Sequence, residues 1–345
     1  KKNKGAGGVD GMKVEELLQY LKANGEEIRQ TIKDGKHRPH PVLRVEIPKD
    51  DGKKRKLGIP TAVDRVIQQA IAQVLTPIYE PQFSNSSYGF RPKRSTHDAI
   101  KACQKNIRDG YKYVVDMDLE KFFDTVNQSK LIELLSRSIK DGRVISLIHK
   151  YLRAGVITRA GRFEETELGV PQGGPLSPLC GNILLNELDW ELERRGHRFV
   201  RYADDMLIFC KSKRAAKRTL ENLIPFIERK LFLKINREKT KVAYVGKVKF
   251  LGYAFYINKN KDAICFNPPA HAGRDRRRCR YPQRRRCFNP RAHAGRDGYS
   301  GKKCRRRRCF NPRAHAGRDD QSLMAEEKVF SFQSTRPRGA RQRGA

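Results

Sequence analysis

The chain has 345 residues with 74 Lys and Arg against 38 Asp and Glu, so its formal net charge is +36 at pH 7. Such a charge favours a polyanionic partner, nucleic acid above all, and argues against a small neutral ligand as the sole partner. No run of eighteen apolar residues suggests a membrane span, and no signal peptide is recognisable. We therefore expect a cytoplasmic protein, and because residue 1 is Lys rather than Met, we expect that a preceding segment is missing.

The end of the chain differs in composition from the rest. Residues 266–345 carry 23 Lys and Arg, 6 Asp and Glu, one Leu, one Val and no Ile. Such a segment cannot bury enough apolar surface to offset the entropy of ordering it, which predicts a disordered basic tail. Only Cys103, Cys180 and Cys210 precede residue 265, without a pairing pattern, so we expect buried, reduced thiols.

The tail contains a repeat with a period of 22 residues, whose copies start at Cys265, Cys287 and Cys309. Residues 331–341, one period later, have a different sequence, yet one DNA string encodes both peptides in frames that differ by one base. We interpret the tail as translated repeat DNA that resembles a CRISPR array. Its Cys and His spacings imitate zinc-ligand spacing, but because they follow from the DNA repeat, we expect no zinc site.

The first 265 residues alternate helix and strand patterns without a βαβ rhythm. Strand patterns at Leu43–Pro48 and Arg55–Pro60 flank Asp50-Asp51-Gly52, which predicts a hairpin with a basic tip. Apolar residues from Val63 to Leu75 fall at helical spacing, and the predicted helix stops before Pro77.

Further along, alternate residues from Tyr113 to Leu119 are apolar, whereas Asp116 and Asp118 share the opposite face. Ser177-Pro178 predicts the start of a helix that runs towards Arg195, with Ser177 as the N-cap.

Two apolar strands are then predicted at Arg198–Tyr202 and Met206–Phe209, joined by a turn that contains Asp204-Asp205. Together these patterns predict an α+β fold in which helices back an antiparallel sheet that carries acidic residues.

The acidic pairs Asp116/Asp118 and Asp204/Asp205 are the candidate catalytic residues. Either pair alone is usually explained by local hydrogen bonding. In a strongly basic chain, the two together predict a pair of Mg²⁺ ions held by carboxylates. Two such ions activate a 3′-hydroxyl and stabilise leaving pyrophosphate in phosphoryl transfer.

Three segments resemble reverse transcriptase motifs: Tyr202–Asp205 the YxDD box, Asp118–Asp124 the first catalytic motif, and Gly169–Pro178 the nucleotide-pocket motif. The remaining matches follow the family order: Gly8–Gly11, Ile47–Lys49, Leu57–Pro60, Tyr88–Pro92, Glu238–Lys241 and Phe250–Tyr253. This set is typical of group II intron reverse transcriptases and their bacterial relatives, and the resemblance covers roughly residues 3–260.

The resemblance implies a right-hand polymerase. Residues 1–112 would form the fingers with an N-terminal extension, residues 113–265 the palm with some returning finger elements, and residues 266–345 the Arg-rich tail. Family members continue into a thumb and a maturase domain. Because the repeat tail begins here instead, we expect no thumb and weakened substrate binding.

The resemblance also assigns the catalytic and metal-binding residues: Asp118, Asp204 and Asp205. The Leu119 carbonyl would complete one coordination sphere. Asp116 shares the strand face with Asp118, and the sequence alone does not exclude it as a ligand, although the family motif favours Asp118.

Nucleotide-binding roles are implied for Lys49 and Arg55, which match the pair that grips the triphosphate. Lys53, Lys54 and Lys56 remain alternatives on the same hairpin, because a run of charges is usually just a solvated face.

Phe123 matches the residue that screens the sugar 2′-hydroxyl and so selects DNA synthesis; a plain core Phe is the alternative. Gln172 would contact the incoming sugar or base, with loop hydrogen bonding as the alternative. Lys239 or Lys241 would protonate pyrophosphate, and Arg91 would contact template or hold the fingers together.

We therefore predict an RNA-directed DNA polymerase of group II intron type that uses two Mg²⁺ ions. Its partners would be an RNA template, a DNA or RNA primer and dNTPs, with intron RNA as a further candidate. Two alternatives remain, namely a non-catalytic, maturase-like RNA-binding role in splicing, and a reverse transcriptase that serves CRISPR spacer acquisition.

Overall fold

The computed structural model describes residues 6–48, 54–257 and 263–266, the last of these as backbone. Its α-helices are α1 Leu17–Lys33, α2 Ala62–Tyr79, α3 Thr96–Arg108, α4 Phe122–Thr125, α5 Gln128–Ser138, α6 Gly142–Leu152, α7 Ser177–Arg194 and α8 Lys213–Lys230. Its strands are β1 Val42–Pro48, β2 Lys54–Ile59, β3 Tyr113–Met117, β4 Val156–Ile157, β5 Phe163–Glu164, β6 Arg198–Tyr202, β7 Asp205–Cys210, β8 Lys241–Tyr244, β9 Lys249–Phe250, β10 Tyr253–Ile257 and β11 Ala263–Phe266. The predicted hairpin tip and the repeat tail beyond Phe266 lie outside the described residues.

A four-stranded antiparallel sheet in the order β6-β7-β3-β8 is the centre of the fold, as predicted. Alternation along β3 sends Val115 and Met117 to one face, where they join a core with α5, α7 and α8. Val114 faces the other way and packs with α3, β9 and β10. Both faces of the sheet are therefore covered, and the α+β class is confirmed.

The predicted hairpin at the start of the chain is also present. β1 and β2 pair antiparallel, from Leu43 opposite Ile59 to Pro48 opposite Lys54. β1 pairs in parallel with the short β4, which then pairs with β5. This parallel pairing joins segments far apart in sequence, and the hairpin pattern gave no sign of it.

Two predicted helix boundaries were wrong. α2 continues through Pro77 to Tyr79, because the buried Tyr79 side chain anchors the last turn and donates to the Leu135 carbonyl. Ser177 is the first residue of α7 rather than its N-cap, which is Leu176 without a side-chain cap. The Ser177 hydroxyl instead donates to the Pro171 carbonyl.

Cys103, Cys180 and Cys210 are buried thiols, and no disulfide joins them to one another, as predicted. In the part of the chain that the structure describes, no helix is both long and apolar enough to span a bilayer.

Candidate active site

The two adjacent aspartates lie in the tight turn between β6 and β7. Tyr202 pairs with Asp205, so Ala203 and Asp204 are the two turn residues. Ala203 has a φ of +57°, and this left-handed conformation costs a residue with a Cβ about 1–2 kcal/mol. The turn therefore requires support from its surroundings.

A buried ion pair supplies part of that support. The fully buried Arg201 guanidinium donates to both carboxylate oxygens of Asp189 on α7, with Nε 2.8 Å from Oδ1. Its Nη1 donates to the Asn182 side-chain oxygen at 2.8 Å and to the Ala203 carbonyl at 2.9 Å. Arg201 thus ties α7 to the backbone of the turn that carries Asp204.

The loop that contains Gly89 lies directly against the same turn. A Cβ at Gly89 would be 2.3 Å from the Ala203 backbone nitrogen, so a larger residue would displace the turn. Asn182 Nδ2 donates to the Gly89 carbonyl at 2.9 Å, and the Tyr88 N–H donates to the Arg201 carbonyl at 2.8 Å. The Tyr88–Pro92 motif therefore needs a glycine at position 89 because the backbone there contacts the turn.

Strand register brings Asp118 to the same place. β3 pairs with β7 through Met117 and Met206, so Asp118 and Asp205 are the next residues in register. Thr240 holds the Asp118 backbone, since its hydroxyl accepts from the Asp118 N–H at 3.1 Å and donates to the Asp118 carbonyl at 3.2 Å.

The direction of the Leu119 carbonyl follows from the pairing around it. The Asp118 carbonyl accepts from the Asn236 N–H, and the Glu120 N–H donates to the Lys234 carbonyl. Because backbone groups alternate between the two sides of an extended chain, the Leu119 carbonyl points away from this segment, towards the side on which β7 begins.

Repulsion among the carboxylates changes their acid–base behaviour. Desolvation, followed by the negative charges of Asp204, Asp118 and Asp116, raises the pKa of Asp205 to about 7. Desolvation also raises the pKa of Asp204; Arg55 opposes this shift and Asp118 adds to it. The carboxylates therefore repel one another, and a divalent cation bound between them would neutralise this repulsion.

Two lysines distinguish Asp116 from Asp118. Asp116 lies opposite Lys241 in the β3–β8 pairing, with Lys241 Nζ 3.2 Å from Asp116 Oδ2. Lys239 Nζ lies 3.6 Å from Asp118 Oδ2. Asp116 is thus paired with a cross-strand partner, and of the two predicted lysines it is Lys239 that contacts Asp118.

Arg55 and Gln172, both predicted to bind the nucleotide, contact each other. Arg55 Nε donates to Gln172 Oε1 at 3.1 Å, and the Gln172 carbonyl accepts from the Gly58 N–H at 2.7 Å. A Cβ at Gly173 would be 2.5 Å from the Gly58 carbonyl oxygen. This close approach joins β2 to the Gln172 loop, and the Arg55 charge also acts on the pKa of Asp204 in the β6–β7 turn.

Phe123 lies beside the same loop. Its carbonyl accepts from the Val170 N–H at 2.7 Å, and its ring meets the Phe122 ring edge-on with centroids 5.0 Å apart. The Phe123 side chain is half-buried, so a sugar can reach part of the ring.

Lys49 and Lys53 lie outside the described residues. Lys54, one of the alternatives to Lys49 and Arg55, forms an ion pair across the hairpin, with its Nζ 2.8 Å from Glu46.

Arg91, for which the sequence left two roles open, is buried inside its own loop. It donates to the Glu80 carboxylate and to the carbonyls of Ser84 and Ser87. Arg91 therefore holds the fold together.

The aspartates of this site suit a hard divalent cation that takes only part of its ligands from the protein. Among the described residues, no group of three or more His, Cys, Asp or Glu side chains forms a ready metal site. Mg²⁺, however, commonly uses one or two carboxylates and takes its other ligands from water and substrate phosphates. The aspartate carboxylates repel one another, and Asp205 stays accessible from solvent although surrounding atoms partly desolvate its carboxylate, so their chemistry meets this requirement.

Sequence reasoning missed the residues that support the turn: Asn182, Asp189 and Arg201. A signal was present, because Arg201 interrupts an apolar strand and Asp189 an otherwise apolar helix face. Two opposite charges in apolar surroundings predict a buried pair, but the sequence does not show that they meet.

Comparison with known proteins agrees with this geometry. The family model described as reverse transcriptase (RNA-dependent DNA polymerase) matches residues 47–255, a range that includes all the predicted site residues. Protein YkfC of Escherichia coli K12 is 34% identical over 293 residues, which cover 74% of this chain and 77% of YkfC.

A second relative is the group II intron-encoded protein LtrA of Lactococcus lactis, 33% identical over 300 residues. The match covers 68% of this chain and 50% of LtrA, so the chain spans about half the length of that relative. In structure, the chain is similar in fold to telomerase from Candida tropicalis, with a TM-score of 0.52, 17% identity, and coverage of 73% of this chain and 49% of the telomerase.

Proposed function

The chain belongs to the reverse transcriptase family, and from that premise we propose that it adds deoxynucleotides to a primer 3′-hydroxyl on an RNA template, as an enzyme of the group II intron type. The observation that carries this proposal is the register that sets Asp118 opposite Asp205 and beside Asp204. Desolvation, and then the charges of the neighbouring aspartates, raise the pKa of Asp205 to about 7, which supports the proposal because a bound cation would relieve that repulsion.

Mg²⁺ is the proposed cofactor, as two ions held by Asp118, Asp204 and Asp205 with the Leu119 carbonyl. When bound, the ions activate the 3′-hydroxyl and neutralise charge on the leaving pyrophosphate. Arg201 keeps the Ala203–Asp204 backbone in the conformation that presents the carboxylates, and Thr240 does the same for Asp118.

The incoming nucleotide is proposed to bind between β2 and the Gln172 loop. Arg55 would exchange its bond to Gln172 for oxygens of the triphosphate, because a charge-assisted contact is stronger than one to a neutral amide. Lys49 would grip the same triphosphate from the opposite strand. Gln172 is then released to contact the sugar or base, and the Phe123 ring would exclude a 2′-hydroxyl.

Proton transfer to pyrophosphate is assigned to Lys239 rather than Lys241. Lys239 lies 3.6 Å from Asp118, whereas Lys241 is held by Asp116. In the proposed division of the chain, the fingers comprise residues 1–112 and the palm residues 113–265.

The experiment is primer extension on an RNA template with purified full-length chain. We expect Mg²⁺-dependent incorporation of dNTPs, and Asp204→Ala should reduce it by about 1,000-fold or more, since a metal ligand contributes several kcal/mol to transition-state stabilisation. Asp116→Asn is the matched control, because it removes a carboxylate from the same sheet without removing a proposed ligand. Extension by Asp204→Ala at the parental rate would reject the assignment.

The alternative is an RNA-binding role in splicing without catalysis, favoured by the similarity to an intron-encoded protein. If the parent binds RNA but never extends a primer, and RNA binding survives Asp204→Ala, this alternative holds. Spacer acquisition rests on the repeat tail alone and has no support from the described residues.

A further inference from the structure

The end of the central sheet opposite the catalytic turn is rich in basic side chains. The strands β3 and β6 begin at this end and β7 stops there, because the aspartates lie at the other ends of all three strands. Lys211 is six positions after Asp205 along nearly extended chain, a distance of about 20 Å. Arg198 and Lys211 both lie over the Tyr111 ring at this end, at 4.7 Å and 5.6 Å from its centroid.

α8 begins directly after this end of the sheet and extends the basic surface. Its exposed face carries two pairs of cations one helical turn apart, Lys213/Arg214 and Lys217/Arg218, so successive pairs are about 6 Å apart along the helix. Its opposite face is buried through Ala216, Thr219, Leu223 and Ile227. We call the following residues the distal basic patch: Lys211, Lys213, Arg214, Lys217 and Arg218.

The charge of the distal basic patch is largely unneutralised. Within the described residues, no ion pair involves any of its five members, whereas neighbouring Arg195 and Arg198 are paired with Glu191 and Asp109. On the exposed face of α8, the four cations share their surface with one acidic side chain, Glu221. Desolvation, and then the positive charges of Arg195 and Arg218, lower the pKa of His197, which directly precedes β6.

The charge of this surface selects the partner. All five residues that line it are charged, and the large exposed apolar residues in the described part of the chain lie at other positions, such as Val74 on α2 and Trp190 on α7. A surface that would insert into a lipid layer needs such side chains. Closely spaced Lys and Arg on an exposed helix face instead match a row of phosphates, and the Arg forks can bind phosphate oxygens in pairs.

We propose that the distal basic patch binds the phosphate backbone of a structured RNA segment, at a site separate from the catalytic turn. The chain would then hold one stretch of RNA at this end of the sheet while the aspartates act on another. This proposal goes beyond polymerase activity and does not depend on it.

The test is binding of a labelled RNA hairpin without a free primer terminus, measured from 50 to 300 mM salt. The variant replaces four patch cations by Gln: Lys213→Gln, Arg214→Gln, Lys217→Gln and Arg218→Gln. Each phosphate contact contributes roughly 0.7–0.9 to the slope of log affinity against log salt, so we expect the slope to shrink by about 3. Extension of a short primer-template by the variant should remain near the parental level.

The matched control removes four exposed charges elsewhere: Lys22→Gln, Lys33→Gln, Lys36→Gln and Lys140→Gln. Equal losses of hairpin affinity in both variants would overturn the proposal, because overall charge would then explain binding. Displacement of the hairpin by a saturating primer-template would overturn it too, since the cleft would be the site. Patch-dependent binding to phosphatidylserine vesicles, without patch-dependent hairpin binding, would assign the surface to lipid instead. Thermal unfolding of each variant by circular dichroism checks that the fold is intact.

Discussion

Ala203 keeps its left-handed conformation because groups on three sides hold it. Arg201 donates to its carbonyl, Gly89 presses against its nitrogen, and Tyr202 pairs across to Asp205. Arg201, three positions before Asp204, thus controls where the carboxylate lies without touching substrate. We regard Arg201 as a positioning residue, in contrast to the aspartates, whose proposed role is direct contact with the metal.

Arg201→Lys is the prediction at this scale. Lys keeps the charge beside Asp189, but its single ammonium cannot also reach Asn182 and Ala203 in the fixed geometry of the guanidinium. We expect kcat to fall about 10- to 100-fold and the Mg²⁺ concentration for half-maximal activity to rise, with the KM for dNTP little changed.

The control for this variant is Leu223→Ala in α8, a core truncation away from the turn. It should lower the free energy of unfolding without altering the Mg²⁺ dependence. A Mg²⁺ profile of Arg201→Lys that matches the parent would mean that Arg201 serves stability alone.

At the scale of elements, a buried carboxylate joins the start of α2 to α6. Asp64 accepts from the Thr61 hydroxyl at 2.7 Å, the Tyr151 hydroxyl at 3.1 Å and the His40 N–H at 3.2 Å. Burial alone would raise the pKa of Asp64, but hydrogen bonds from His37, Thr61, His40 and Tyr151 more than offset it and lower the pKa below 3.8.

A depressed carboxylate pKa stabilises the fold above the unfolded-state pKa, and that contribution is lost as pH falls through the folded-state pKa. We therefore expect Asp64→Asn to lower the free energy of unfolding by about 1–3 kcal/mol at pH 7. The gap between parent and variant in urea denaturation should narrow below about pH 4. Glu165→Gln, at an exposed position, should show no gap, and a gap for Asp64→Asn that widens in acid would contradict the account.

Sequence periodicity predicted these elements well where one buried face determines the structure. β3, β6 and the β1–β2 hairpin follow from alternation and turn residues. The extension of α2 past Pro77 does not, because it depends on Tyr79 reaching a carbonyl of α5. Nor does the end of α8, where Phe232 adopts a φ of +56° with its side chain 54% exposed, a conformation that local propensity disfavours.

At the scale of the whole molecule, the two ends of the central sheet carry side chains of opposite charge. Its acidic end unites Asp118 with the Asp204–Asp205 turn, and the distal basic patch lies at and beyond its other end. The net charge of +36 predicted a polyanionic partner, and the motifs predicted the acidic end. The distal basic patch was not predicted, although its residues lie close together in the sequence, because a run of charges does not show which end of the sheet it occupies.

The most direct test of the central claim, that the aspartates bind two divalent cations, is Mn²⁺ binding measured by electron paramagnetic resonance. The full chain would be studied with an RNA template, a primer that lacks a 3′-hydroxyl and a matching dNTP. We predict two bound Mn²⁺ ions per chain, their loss in Asp118→Asn and Asp204→Asn, and their retention in Asp116→Asn. Two ions that remain bound to Asp204→Asn with parental affinity would contradict the account.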